Sequence, residues 1–230
     1  MRNWQMAMGG GATALLLAGC GGGGYADESA ETITGDAEKE MKALSSVSMN
    51  GELTNDGQKL SLDMSVTTSG DCEGTIGLDQ GTAQLLSVDG QSWMKPDEGF
   101  WQSFAGDQAA AVMQAVGDRW VVMPEEEGGF TDLCDLDSLL EEMGEDDGDK
   151  MEVGETEDVD GQEAVMIDTE SDEGDPLTVW VAVDDPHYVL KMQVTEGDEP
   201  GTITFSDFDE ELDVEAPSAD EAVDLNQLGG

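Results

Sequence analysis

Leu17, Ala18, Gly19 and Cys20 end an apolar N-terminal run and are followed at once by Gly21, Gly22, Gly23 and Gly24. A signal peptidase needs small residues just before its cut, and a thiol placed directly after them can carry a diacylglyceryl group as a thioether. The spacing predicts cleavage after Gly19, leaving Cys20 as a lipidated N-terminus. Two long chains then hold a protein on a bilayer, because acyl burial contributes about 0.8 kcal/mol per CH₂. The alternative is an ordinary cleaved secretion signal with Cys20 as a plain thiol. With Cys20 consumed, Cys72 and Cys134 remain, and an exported chain permits a disulfide between them. Two separate buried thiols are the other reading.

Catalytic chemistry is poorly supported. The single histidine, His187, follows Pro186 at the start of an expected strand, and there is neither a serine nucleophile elbow nor a glycine-rich phosphate loop. Carboxylates are so numerous that any two could be brought together on paper, so no general acid and base pair stands out. The run Glu145, Asp146, Asp147, Gly148, Asp149 lacks the alternating ligands and closing Glu of a calcium loop, and reads as a solvated turn. These residues predict no enzyme, no metal and no cofactor.

Lys and Arg number 8 against 54 Asp and Glu, a net charge of -46. Such a field excludes nucleic acid as a partner and disfavours anionic headgroups. It also opposes the compact state by self-repulsion unless salt shortens the Debye length, which points to a halophilic or salt-tolerant source. A generic acidic surface is the alternative.

The elements that position these residues follow from periodicity. Residues 1–19 read as signal peptide, 20–36 as a lipidated flexible tether, and 37–230 as one domain, expected to be a monomer. Ala37, Met41 and Leu44 have helical spacing. Period-two alternation runs through Val47 to Leu53, Leu60 to Val66, Gly74 to Leu78, Ala83 to Val88 and Ser92 to Lys95. Helices are predicted over Gln108 to Val116 and from about Leu136 to Met143, with a short strand at Trp120 to Met123 between them. Strands resume at Met151 to Glu155, Ala164 to Asp168, Leu177 to Val183, Tyr188 to Val194 and Thr202 to Phe208. The tail from Val214, which carries Pro217, is expected to leave the sheet. The count is about ten or eleven antiparallel strands with helices inserted midway, an α+β architecture.

With these residues in view, the chain resembles the actinobacterial LolA-like lipoproteins of the LppX and LprG type. The carrying residues are the lipobox to Cys20; Gly74, Thr75, Ile76; Val88, Asp89, Gly90 with Trp93, Met94, Lys95; Trp101; Arg119, Trp120, Val121; Gly161 with Ala164; Val181, Ala182; Tyr188, Val189, Leu190; Phe205 to Phe208; and Pro217. The resemblance implies a strongly curved antiparallel sheet, a half-barrel, with helices against its concave face and an apolar space between that holds lipid chains. It makes Trp93, Trp101 and Trp120, together with Phe100 and Phe104, candidates for a pocket wall, ordinary core being the alternative. Leu62, Met64, Leu190, Met192, Ile203 and Phe205 occupy the apolar face of alternating strands and either fill the core or line that space. If Gln108 to Val116 lies over the concave face, it encloses one volume with Leu190, Met192 and Phe205.

The function expected is that of a lipid-anchored protein on the outer face of the plasma membrane which holds a lipid or other amphiphile. The rival is an envelope sensor or interaction module of the RseB-like type. A space of several hundred Å³ favours the first and a filled interior the second.

Overall fold

Alternating apolar and polar residues joined by tight turns produce strands that pair with their neighbours in sequence. In the computed structural model, which describes residues 24–225 apart from 56, 80, 125–131, 145–150, 172–173 and 198–199, two such runs are present. The first contains β1 (Ser46–Asn55), β2 (Gln58–Thr67), β3 (Cys72–Leu78), β4 (Gly81–Val88), β5 (Gln91–Pro96) and β6 (Trp120–Val122). The second contains β7 (Glu152–Val159), β8 (Gln162–Glu170), β9 (Pro176–Ala182), β10 (Val189–Val194) and β11 (Gly201–Ser206). At Asp89–Gly90 and Asp160–Gly161 both turn residues have positive φ, 52° and 79° in the first, 51° and 89° in the second. Two-residue hairpin turns that match the twist of the flanking strands require this. The expected signal segment 1–19, Cys20 and the acidic run 145–149 lie outside the described residues.

The two runs join where β1 pairs antiparallel with β11, Met49 opposite Phe205. One open, curled sheet of 12 strands results, in the order β12-β6-β5-β4-β3-β2-β1-β11-β10-β9-β8-β7. The α+β, curved antiparallel architecture is as expected, but the tail does not leave the sheet. Ala222–Val223 form β12, parallel to β6, with Val223 opposite Val121. Two residues are too few to show alternation; the burial of Val223 against Trp101 and Val121 places them.

The helices are α1 (Ala30–Met41), α2 (Glu98–Ala105), α3 (Ala109–Val116) and α4 (Leu136–Gly144). Where the sequence reading has a tether to residue 36, the structure has a 3₁₀ turn, Tyr25–Asp27, and then the first two turns of α1. Ser29 caps that helix by accepting a hydrogen bond from the Thr32 N–H at 3.3 Å, and Ile33 is fully buried, so the packed fold starts near Tyr25. Asp97 caps α2 in the same way, accepting from the Phe100 N–H at 2.8 Å. A Cβ at Gly81 would lie 1.8 Å from the Phe100 nitrogen, so only glycine lets α2 rest on β4.

One core dominates. Val47, Met49, Leu62, Met64 and Phe205 of the central strands pack with Phe100 of α2 and with Leu136 and Leu140 of α4. Cys72 and Cys134 are joined in a disulfide, their Cα atoms 5.4 Å apart, which ties the turn before α4 to the first residue of β3. The helix α3 packs with Trp101 against Val121 and Val223 at the β6 end of the sheet. It therefore does not enclose a volume with Leu190, Met192 and Phe205, contrary to the expectation from its apolar face.

Candidate ligand cavity

The apolar stripe of α1 consists of Ala30, Ile33, Ala37 and Met41, all buried. Its first half packs tightly on Val165 and Ile167 of β8 and Val181 of β9. Further along, Ala37 has only a methyl group to set against the β-branched Val179, Val181 and Val189 beneath it. A gap remains between helix and sheet, walled on its other sides by Leu140 of α4, Met151 and Met192. Its volume is about 140 Å³.

The interior of this cavity is hydrocarbon and thioether. Four polar side chains border it, Thr34, Glu38, Lys42 and Thr169: the Thr34 hydroxyl donates to the Ala30 carbonyl at 2.9 Å, and Lys42 pairs with Glu38 at 2.5 Å across one helical turn. Among the described residues no buried side-chain nitrogen or oxygen lacks a hydrogen-bond partner. The described wall is mainly apolar, with its charged groups at the rim, and such a surface suits an apolar guest. Three unbranched methionines, Met41, Met151 and Met192, line it, and such side chains adapt to the outline of a guest.

The residues singled out from the sequence are dispersed. Met192 lines the cavity. Leu62, Met64 and Phe205 lie in the adjoining packed core, and Ile203 is half-buried against it. Trp101 is buried under α3. Trp93 sits on the opposite face of the sheet, across from Leu86 and Val122, because Met94 next to it points into the core. Trp120 faces that same side, beside Asp213, Val214 and Glu215 of the tail. Phe100 is core and Phe104 is 64% exposed.

Leu190 also belongs to the far face. It packs with Ala164, Trp180 and Ala182, although strict alternation puts it on the side of Met192. The reason is a β-bulge: Val189 is opposite Val181, yet Lys191 is already opposite Trp180, so one extra residue is absorbed and the alternation is interrupted. Lys191 then lies over the Trp180 ring at 3.9 Å, and Met192 turns inward opposite Val179.

His187 is structural. Its Nδ1 donates to the Ala182 carbonyl at 3.0 Å, and its ring stacks on Tyr25 with centroids 3.6 Å apart and planes 3° from parallel. The Tyr25 hydroxyl donates to the Ile33 carbonyl at 3.3 Å, so this pair clamps the start of the fold to α1 and to the β9–β10 turn. Burial, followed by the negative charges of Asp36 and Asp185, pushes the Tyr25 hydroxyl up to about 12. Sequence reasoning missed this clamp and the upper part of α1, although the spacing of Ala30, Ile33, Ala37 and Met41 is visible once the helix is extended backwards through Gly35.

The open, curled antiparallel sheet with helices on one face is the architecture that the resemblance of the sequence implied. Among solved structures, the chain is similar to LprF from Mycobacterium bovis, with a TM-score of 0.60 and 16% identity over 82% of this chain and 97% of that one. It is similar also to the Mycobacterium tuberculosis lipoprotein LppX, with a TM-score of 0.54 and 18% identity over 80% of this chain and 97% of that one. At these identities the likeness is one of fold. No protein-family model and no curated protein matches the chain.

Proposed function

We propose that this protein is an extracytoplasmic lipoprotein, held on the outer face of the plasma membrane through Cys20, which shelters the apolar part of a lipid or other amphiphile in the cavity beneath α1. It works by burial of hydrocarbon and not by covalent chemistry. The observation that carries this reading is the cavity itself: about 140 Å³ of apolar space between a capped helix and a hydrogen-bonded sheet. A well-packed interior leaves few voids larger than a water molecule. The lipobox at Cys20 and the fold shared with LprF and LppX support it, and among the described residues no helix is long and apolar enough to cross a membrane.

Titration with a fluorescent acyl probe tests the proposal. The wild-type protein is expected to bind it, and Met192→Glu to weaken binding at least about tenfold, because an ionised carboxylate without a partner is costly in an apolar space. A wild-type protein that binds no acyl probe overturns the proposal. One observation favours the second reading, an interaction module: the cavity is smaller than the several hundred Å³ typical of small-molecule sites. That reading is the one left standing if the probe does not bind.

A further inference from the structure

We infer that the face of the sheet turned away from the helices carries a second binding site, a groove for a neutral saccharide. The groove has a volume of about 590 Å³, within the range of about 300–1,000 Å³ of small-molecule sites. Its floor is the outer side of β2, β3 and β4. There Asp63, Thr75 and Gln84 stand side by side in register, and in the next row Glu73 lies between Ser65 and Leu86. The tail walls it through Asp213, Val214 and Glu215, and the half-buried Trp120 side chain lines it as well. That tail is fastened at both ends: the Asp209 N–H donates to the Ser46 carbonyl at 3.0 Å, and the Glu221 carbonyl accepts from the Trp120 N–H at 2.8 Å. The groove is therefore preformed.

Among the described residues no Lys, Arg or His lines this space, whereas four carboxylates do, so an anion is repelled. Asp63 and Glu73 sit diagonally across the β2–β3 pair, about 7–8 Å apart, with Thr75 and Ser65 at the corners between them. Among the described residues no group of three or more acids, cysteines or histidines is placed to hold a metal ion. The carboxylates are thus spread out as separate acceptors, and Thr75 and Gln84 add groups that both donate and accept. A hydroxyl uses both kinds of partner; a cation uses acceptors alone. Among the described residues, the side chains of Asp63, Glu73, Thr75, Gln84, Asp213 and Glu215 have no hydrogen-bond or ion-pair partner, unlike Thr34, Glu38 and Lys42 beside the apolar cavity. A sugar ring matches both parts of this surface, with hydroxyls round its edge for those groups and a face of C–H bonds for the Trp120 indole.

Saturation-transfer NMR on the full chain, with maltotriose, cellotriose, chitotriose and spermine offered separately, tests the inference. At least one trisaccharide is expected to receive saturation at its ring C–H protons, and Trp120→Ala and Gln84→Ala are each expected to weaken its binding by about tenfold. Gln84 is exposed, so its substitution leaves the fold intact. Absence of transfer to every trisaccharide overturns the inference, and transfer to spermine alone replaces it with a cation site. Binding that Gln84→Ala leaves unchanged places the sugar elsewhere and also overturns it. Acyl-probe binding beneath α1 is read on the other face of the sheet and does not bear on these outcomes.

Discussion

Met192 and Leu190 stand two positions apart in one strand and face opposite ways, and their fates under mutation differ accordingly. Leu190 is buried among Ala164, Trp180 and Ala182, so Leu190→Ala is expected to cost about 2–5 kcal/mol, as in any packed core. Met192 borders space that is already empty, so Met192→Ala should cost less than about 2 kcal/mol in the same urea titration. Equal, large losses at both positions would show that no open cavity exists at β10. A second residue-scale expectation concerns Asp209, which accepts from the Ser45 N–H at 2.7 Å, from the Ser45 hydroxyl at 2.8 Å and from the Tyr188 hydroxyl at 3.3 Å. These donors, the backbone N–H first, hold its carboxyl below the ordinary value of 3.8. A carboxyl whose folded pKa is lowered contributes stability above its unfolded pKa and loses it as pH falls through the folded one. Asp209→Asn should therefore be less stable than wild type at neutral pH, with the difference shrinking as acid takes the pH below 3.8. A difference that stays constant through the acid range would mean the hydrogen bonds to Ser45 do not depend on the charge.

Two elements decide whether the cavity is held in shape. The first is the segment from Tyr25 through α1, which supplies its roof. A chain beginning at residue 37 lacks Ala30 and Ile33 and uncovers Val165, Ile167 and Val181, so it should fail to unfold cooperatively, while a chain beginning at Gly24 should melt as the full domain does. Cooperative melting of the shorter chain would show that the upper half of α1 is dispensable. The second is the disulfide, which closes a sequence separation of 62 residues and anchors α4 through Cys134. On the chain-entropy account a loop of that length is worth about 4 kcal/mol. Replacing both Cys72 and Cys134 with Ser is expected to lower stability by about 2–5 kcal/mol and to weaken acyl-probe binding as Leu140 loses its fixed position. Peptide mapping without reductant should find the pair linked in the wild-type protein, and free alkylatable thiols at both positions would contradict the structure.

At the scale of the whole molecule the predictions concern the charge and the proposed anchor. With 54 acidic side chains against 8 basic ones, self-repulsion acts over the Debye length, about 30 Å at 0.01 M salt and about 3 Å at 1 M. The melting temperature is expected to rise clearly between those conditions; an unchanged value would mean the charges are compensated by hydration or spacing. Cys20→Ser is expected to leave the protein unprocessed or release it from the membrane, and retention of a processed variant on the membrane would refute the lipid anchor. Much of this molecule was legible in consecutive residues. Strands at Leu60–Val66 and Ala83–Val88 and the turns at Asp89–Gly90 and Asp160–Gly161 follow from period and turn chemistry, which are local or nearly so; the half-barrel class came from the family resemblance, and the pairing of the two internal cysteines from their number once Cys20 is set aside. The spacing of Leu17 to Cys20, on which the proposed anchor rests, and the net charge are likewise properties of the chain alone. The tertiary structure decided the rest: that β1 joins β11, that Ala222–Val223 become a strand by lying against β6, that α1 begins at Ala30, and that a bulge turns Leu190 away from Met192. It also decided where the empty space lies. Whether an apolar side chain fills a core or lines a cavity depends on the gap left between two surfaces far apart in sequence, here the methyl group of Ala37 and the valines of β9 and β10, and no run of neighbouring residues encodes that distance.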